Sequence, residues 1–145
     1  MTLTDAEARD LRALAGLMIP ASSAYKVPGA DGAAIFADIV KSLERDTADV
    51  RTALAHLAKL AGGTFADLGP DRRREVAATF KQEGGAPLNA LNRVVLLCYY
   101  RDDRVMRSLG QEPRSPFPKG HVVEQGDWSL LDPVKKRAPM WRSAK

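Results

Sequence analysis

Leu88-Asn89-Ala90-Leu91-Asn92-Arg93-Val94-Val95-Leu96-Leu97-Cys98-Tyr99-Tyr100 is the most apolar stretch of the chain, and its reading decides the fold. The run Val94 to Tyr100 alone fits a buried strand as well as a helix. The preceding Leu88-x-x-Leu91 spacing favours a helix. Leu88, Leu91, Val94, Val95, Leu96, Leu97 and Cys98 give it apolar character nearly all round, so it is predicted to be a central helix.

The segments around it carry helical signals too. Downstream, a short helix is predicted from Asp103 to Leu109, ending at Gly110. Upstream, Gly84-Gly85 closes a helix of about Asp71 to Gln82 that starts beside Pro70, a residue suited to a first helical position. That helix turns Val76, Ala77 and Phe80 inward and its arginines outward. Gly62-Gly63 ends another, whose stripe is Val50, Leu54, Leu57, Ala58 and Ala61 and whose cap is Asp46 or Thr47. A helix of Ala33 to Arg45 carries Ile35, Phe36, Ile39, Val40 and Leu43. At the N-terminus, Thr4-Asp5-Ala6-Glu7 forms a capping box. Leu11, Leu14, Ala15, Met18 and Ile19 follow on one face until Pro20 stops the helix. The loop from Ala21 to Gly32 holds the turn Pro28-Gly29. The expected fold is all-α, with a helical domain of five or six helices over residues 1–110.

Residues 111–145 change character. Five of the nine prolines and both tryptophans fall there, and neither helical nor strand periodicity persists. An irregular segment of this length is uncommon inside a compact domain. It is not depleted of apolar residues, however: Phe117, Val122, Val123, Trp128, Leu130, Leu131, Met140 and Trp141 all need a surface to cover them. Tryptophan is a residue of interface hot spots. From composition alone, the chain's own helices and a partner are equal candidates for that surface.

Composition excludes several function classes. With 45% hydrophobic and 28% charged residues the chain is globular. Its net charge is +4, and the segment 111–145, with seven basic and four acidic residues, supplies most of the excess. A single cysteine, Cys98, forms no internal disulfide. No stretch approaches the ~20 apolar residues of a membrane span. Met1 to Arg12 lacks the basic-then-apolar order of a signal peptide, so the chain is expected to act in the cytoplasm, or in the periplasm if a signal-bearing partner exports it.

Catalytic patterns are missing. His56 and His121 lie far apart without ligand spacing, so each is expected to be structural and no metal site is predicted. Cys98 within an apolar run is expected to be an inert buried thiol, or an interface thiol if its helix meets a partner. No phosphate-binding loop or dinucleotide fingerprint occurs. The clusters Arg72-Arg73-Arg74 and Lys135-Lys136-Arg137 flank no stacking aromatics, and no nucleic-acid binding is expected from them. A small helical enzyme using His121 or Cys98, and a nucleic-acid or membrane-surface binder using the basic clusters, are the rival readings.

The segment Tyr99-Tyr100-Arg101-Asp102-Asp103-Arg104-Val105-Met106-Arg107-Ser108-Leu109-Gly110, the later Pro118-Lys119-Gly120 and Trp128, and the opening Leu3-Thr4, Leu11, Met18-Ile19-Pro20 and Pro28-Gly29-Ala30 occur in a familiar order. Together they resemble the gluconate 2-dehydrogenase subunit 3 family, the small subunits of bacterial flavoprotein dehydrogenases, over nearly the whole chain. The resemblance implies a non-catalytic subunit that binds and stabilises an FAD-bearing large subunit of the glucose–methanol–choline type. FAD and the oxidation of a sugar or alcohol would reside in that partner, with a cytochrome subunit as electron acceptor. It transfers no catalytic residue. Family members often carry a twin-arginine export signal; here none is legible. Cys98, Tyr99, Tyr100, Phe117, Trp128 and Trp141 are the expected partner-interface residues, and the end with Trp141 is the part expected to reach the large subunit.

Overall fold

The computed structural model describes residues 3–141. The chain divides into two units, Met1–Pro113 and Arg114–Lys145. Among the described residues there are helices and no strand, apart from one antiparallel bridge between Ser22 and Val27. No helix among them is long and apolar enough to cross a membrane.

In the first unit, helix α1 spans Asp5–Met18. Its capping box forms as expected, with Glu7 N–H donating to Thr4 Oγ1 at 3.3 Å and Thr4 N–H donating to Glu7 Oε2 at 2.7 Å. Helix α2 spans Ala33–Lys41 and stops four residues short of the predicted Arg45. Glu44 adopts a positive φ of 32°, which no α-helix accommodates. The chain tightens there into a 3₁₀ turn over Glu44–Asp46, with Asp46 N–H donating to Leu43 O at 2.6 Å.

Helix α3 spans Thr47–Ala61 and ends on Gly62, whose φ of 72° is the left-handed conformation that glycine supplies without strain. Asp46 holds the cap position but makes no capping hydrogen bond. Its carboxylate accepts from Arg93 at 2.6 Å instead, a partner 47 residues away. Helix α4 spans Pro70–Glu83 with proline in its first turn, and α5 spans Ala86–Tyr100. Helix α6 covers Asp103–Ser108, capped by Asp102, which accepts from Arg104 N–H at 2.9 Å.

Helix α3 is the hub: α1, α4 and α5 all pack on it, while α2 packs on α5. Leu11, Ile39, Leu54, Leu57, Leu91 and Val95 are among the side chains that fill the shared core. α5 is therefore central on one side only. Leu96, Leu97 and Tyr100 stay exposed, which corrects the expectation of burial all round.

The link between α3 and α4 carries the least anticipated core residue, Phe65, which is fully buried in a 3₁₀ turn over Phe65–Asp67. Buried Asp10 of α1 holds this turn by accepting Ala66 N–H at 2.8 Å. Arg73 reaches back to the Ala66 carbonyl, so not all the arginines of α4 face outward. Asp10→Ala leaves the Ala66 N–H without its acceptor in a water-poor setting. It is expected to lower unfolding free energy by about 1–3 kcal/mol. Urea unfolding measures this, and Asp10→Asn, which keeps an acceptor oxygen, should lose less.

The second unit contains a 3₁₀ turn over Trp128–Leu131 and one helical turn, α7, over Asp132–Lys135. Asp127 caps the first, accepting from Ser129 N–H at 3.0 Å and from Ser129 Oγ at 2.6 Å. Arg114 closes the loop before it, donating to Ser115 O at 3.1 Å and to Gly120 O at 2.7 Å. Every described residue from 115 to 141 is exposed.

Candidate partner-binding surface

The C-terminal half of α5 carries three of the expected interface residues, and the structure separates them. Cys98 is 1% exposed and Tyr99 is 5% exposed, both within the core cluster. They offer no surface to a partner, which corrects the expectation for these two. Tyr100 is half exposed and meets Tyr99 edge to face, ring centroids 5.3 Å apart. The signal that places Cys98 inside is the spacing Leu88, Leu91, Val95, Cys98. These steps of three and four residues keep one face of a helix on its neighbours. The opposite face is marked by Asn89 and Arg93. It continues into Leu96, Leu97 and Tyr100, an apolar surface ridge of which the sequence reading anticipated only Tyr100.

Around Cys98 the structure builds a polar knot. Arg101 donates to both carboxylate oxygens of Asp38, Nε to Oδ2 and Nη2 to Oδ1, each at 2.6 Å. It also reaches the Ser42 hydroxyl and lies 3.5 Å from Cys98 Sγ. Burial pushes the Cys98 thiol up from its ordinary value, against the opposing pull of Ser42 and Arg101. At neutral pH the group is a protonated, weakly nucleophilic thiol. The knot clamps the end of α5 to the end of α2.

The hydrogen bond from Arg101, more than any other influence, holds the Asp38 carboxyl below the usual carboxylate range. A carboxylate whose pKa is lowered by folding stabilises fully above its unfolded value, and that contribution is lost as pH falls through the folded value. Asp38→Asn is therefore expected to be less stable at neutral pH and to show a shallower loss of stability below about pH 4. Urea midpoints at neutral and acid pH measure both. An unchanged acid slope would remove Asp38 from the acid response.

His56 is a half-exposed boundary residue, as expected. Its Nε2 lies 2.6 Å from Glu83, and its ring meets Phe80 edge to face at 5.8 Å. No group of three or more possible metal ligands occurs among the described residues.

The remaining expected contacts lie in the second unit. Trp128 is 61% exposed and Trp141 72%, while Phe117 is exposed still further. Val122, Val123, Leu130 and Met140 share that state. A segment of about 30 residues that leaves every apolar side chain in water forgoes the burial that normally stabilises a fold. Its aromatic side chains stand on a backbone whose prolines have already restricted it.

Comparison with protein-family models, with curated proteins and with solved structures found no match to this chain. The family resemblance rests on the motifs quoted from the sequence.

Proposed function

We propose that this chain is the non-catalytic small subunit of a heteromeric FAD-dependent sugar or alcohol dehydrogenase, and that it binds and stabilises the flavin-bearing large subunit. The observation that carries this reading is the run of exposed aromatic and aliphatic side chains from Phe117 to Trp141. Surface of that kind is characteristic of a binding segment. The ordered motifs shared with the family, from Leu3 to Trp128, name the partner class. FAD belongs to the large subunit, which carries the hydride chemistry, and a cytochrome subunit receives the electrons. The compartment is that of the flavoprotein.

The mechanism is mass action. A subunit that binds only the folded partner stabilises it by RT ln(1 + [L]/Kd), about 2.7 kcal/mol when it is present at a hundred times Kd. The large subunit expressed with this chain is expected to be soluble, yellow with flavin and active. Expressed alone it should be poorer in all three. A large subunit that is equally soluble, flavin-loaded and active without the chain overturns the reading.

A further inference from the structure

Helices α1, α4 and α5 each pack on α3 but make few contacts with one another. Between them lies a groove of about 610 Å³. Its walls are stripes at helical spacing. α5 contributes Leu88, Asn92 and Leu96, and α1 contributes Leu14 and Met18. From α4 come Arg74, Ala78 and Lys81, with the small Ala78 permitting close approach. Three walls with periods of three and four residues are the complement of a fourth helix, whose side chains would enter between them.

Charge selects the occupant. The lining holds two cations and no acid. Among the described residues Arg74 pairs only with Asp71, three residues earlier and largely exposed, a weak surface contact. Lys81 makes no ion pair among the described residues, and the Asn92 side chain makes no hydrogen bond among them. A second copy docked groove to groove would bring the same cations face to face, a repulsive arrangement.

We propose that this groove seats an acidic amphipathic helix of the flavoprotein subunit. Its apolar face lies on Leu17, Met18 and Leu96, the apolar lining side chains that are not buried in the core, with carboxylates toward Arg74 and Lys81. The proposal rests on the reading of the chain as a partner-binding subunit, and adds a second contact carried by the helical unit.

The first probe is a synthetic peptide of about 18 residues with leucine and glutamate at helical spacing, beside a version with lysine for glutamate. In fluorescence anisotropy the full chain is expected to bind the glutamate peptide at least about tenfold more tightly than the lysine one. Ala78→Trp, which fills the groove from an exposed position, and Lys81→Glu, which reverses its charge, should each remove that difference. Circular dichroism melting checks that each variant is folded, and Lys81→Glu carries the test if Ala78→Trp is not.

The second arm is affinity for the purified flavoprotein. Both variants are expected to weaken it by about tenfold or more. Equal binding of the two peptides, or unaltered flavoprotein affinity in folded variants, overturns the groove assignment while leaving the small-subunit reading standing. Absence of flavoprotein binding by the unaltered chain instead overturns that reading, and with it the identity of the occupant. A homodimer that Ala78→Trp disperses would place a second copy in the groove and also overturn the proposal.

Discussion

Phe65→Ala is expected to lower the free energy of unfolding by about 3–5 kcal/mol, the upper range for truncating a buried aromatic side chain. Phe65 is fully buried, and its 3₁₀ turn packs against both α1 and α3. The size of the loss depends on how far the surroundings can collapse into the space left behind. Here the turn is tied from several sides. Asp10 holds the Ala66 N–H, Arg73 holds the Ala66 carbonyl, and Asp67 pairs with Arg9 of α1. A backbone held on both its donor and acceptor sides closes poorly over a cavity, so most of the void should persist.

Domains of this size are stable by only about 5–15 kcal/mol, so the substitution would remove a large share. Urea unfolding reads it as a fall in midpoint with unchanged slope. Phe65→Leu, which keeps most of the volume, should fall between. A loss below about 1 kcal/mol would mean that the turn relaxes freely into the void and that its ties are weak.

The same residue marks where sequence stops informing structure. Helices α1, α3, α4 and α5 were legible because their determinants are local: the Thr4–Glu7 box, the left-handed Gly62, Pro70 and the apolar stripes. Phe65 stands in a short link with no periodic context, and the approach of α1 and α3 to that link buries it. Asp46 was placed correctly at the start of α3, but its hydrogen bond depends on Arg93, which folding alone brings near. The early end of α2 follows from Glu44's positive φ, a backbone choice that composition does not announce.

The candidate surface divides in the same way. That the helical pattern stops near Gly110 was readable from the prolines and the lost periodicity that follow, and the described residues 115–141 are exposed. That Cys98 and Tyr99 face inward while Leu96, Leu97 and Tyr100 face outward was partly readable, from Asn89 and Arg93 on the outer side. The groove was not, since it is the space left by how three helices cross a fourth. Local sequence specifies each helix face; which face remains uncovered is a property of the assembly of helices.

Trp128→Ala and Trp141→Ala are expected to separate binding from folding more sharply than any other substitutions in the chain. Each indole is mostly in water, so its removal takes little buried area from the chain itself, and the unfolding midpoint should scarcely move. In a complex the same side chain can bury about 150–250 Å². Truncating a tryptophan anchor that a partner encloses typically costs about 2–4 kcal/mol of binding, or roughly thirtyfold to a thousandfold in Kd. Calorimetry or surface binding to the purified flavoprotein measures that loss, and thermal melting of the lone chain supplies the control.

The combined variant decides how the two indoles act. Losses that add would mean independent anchors, whereas a combined loss smaller than the sum would mean that one indole positions the segment for the other. If both single variants bind within about twofold of the unaltered chain, the exposed segment is not the contact and the groove of α1, α4 and α5 must carry it alone. If the lone chain instead melts earlier, the indoles are spent on its own stability and the partner reading loses the observation that carries it.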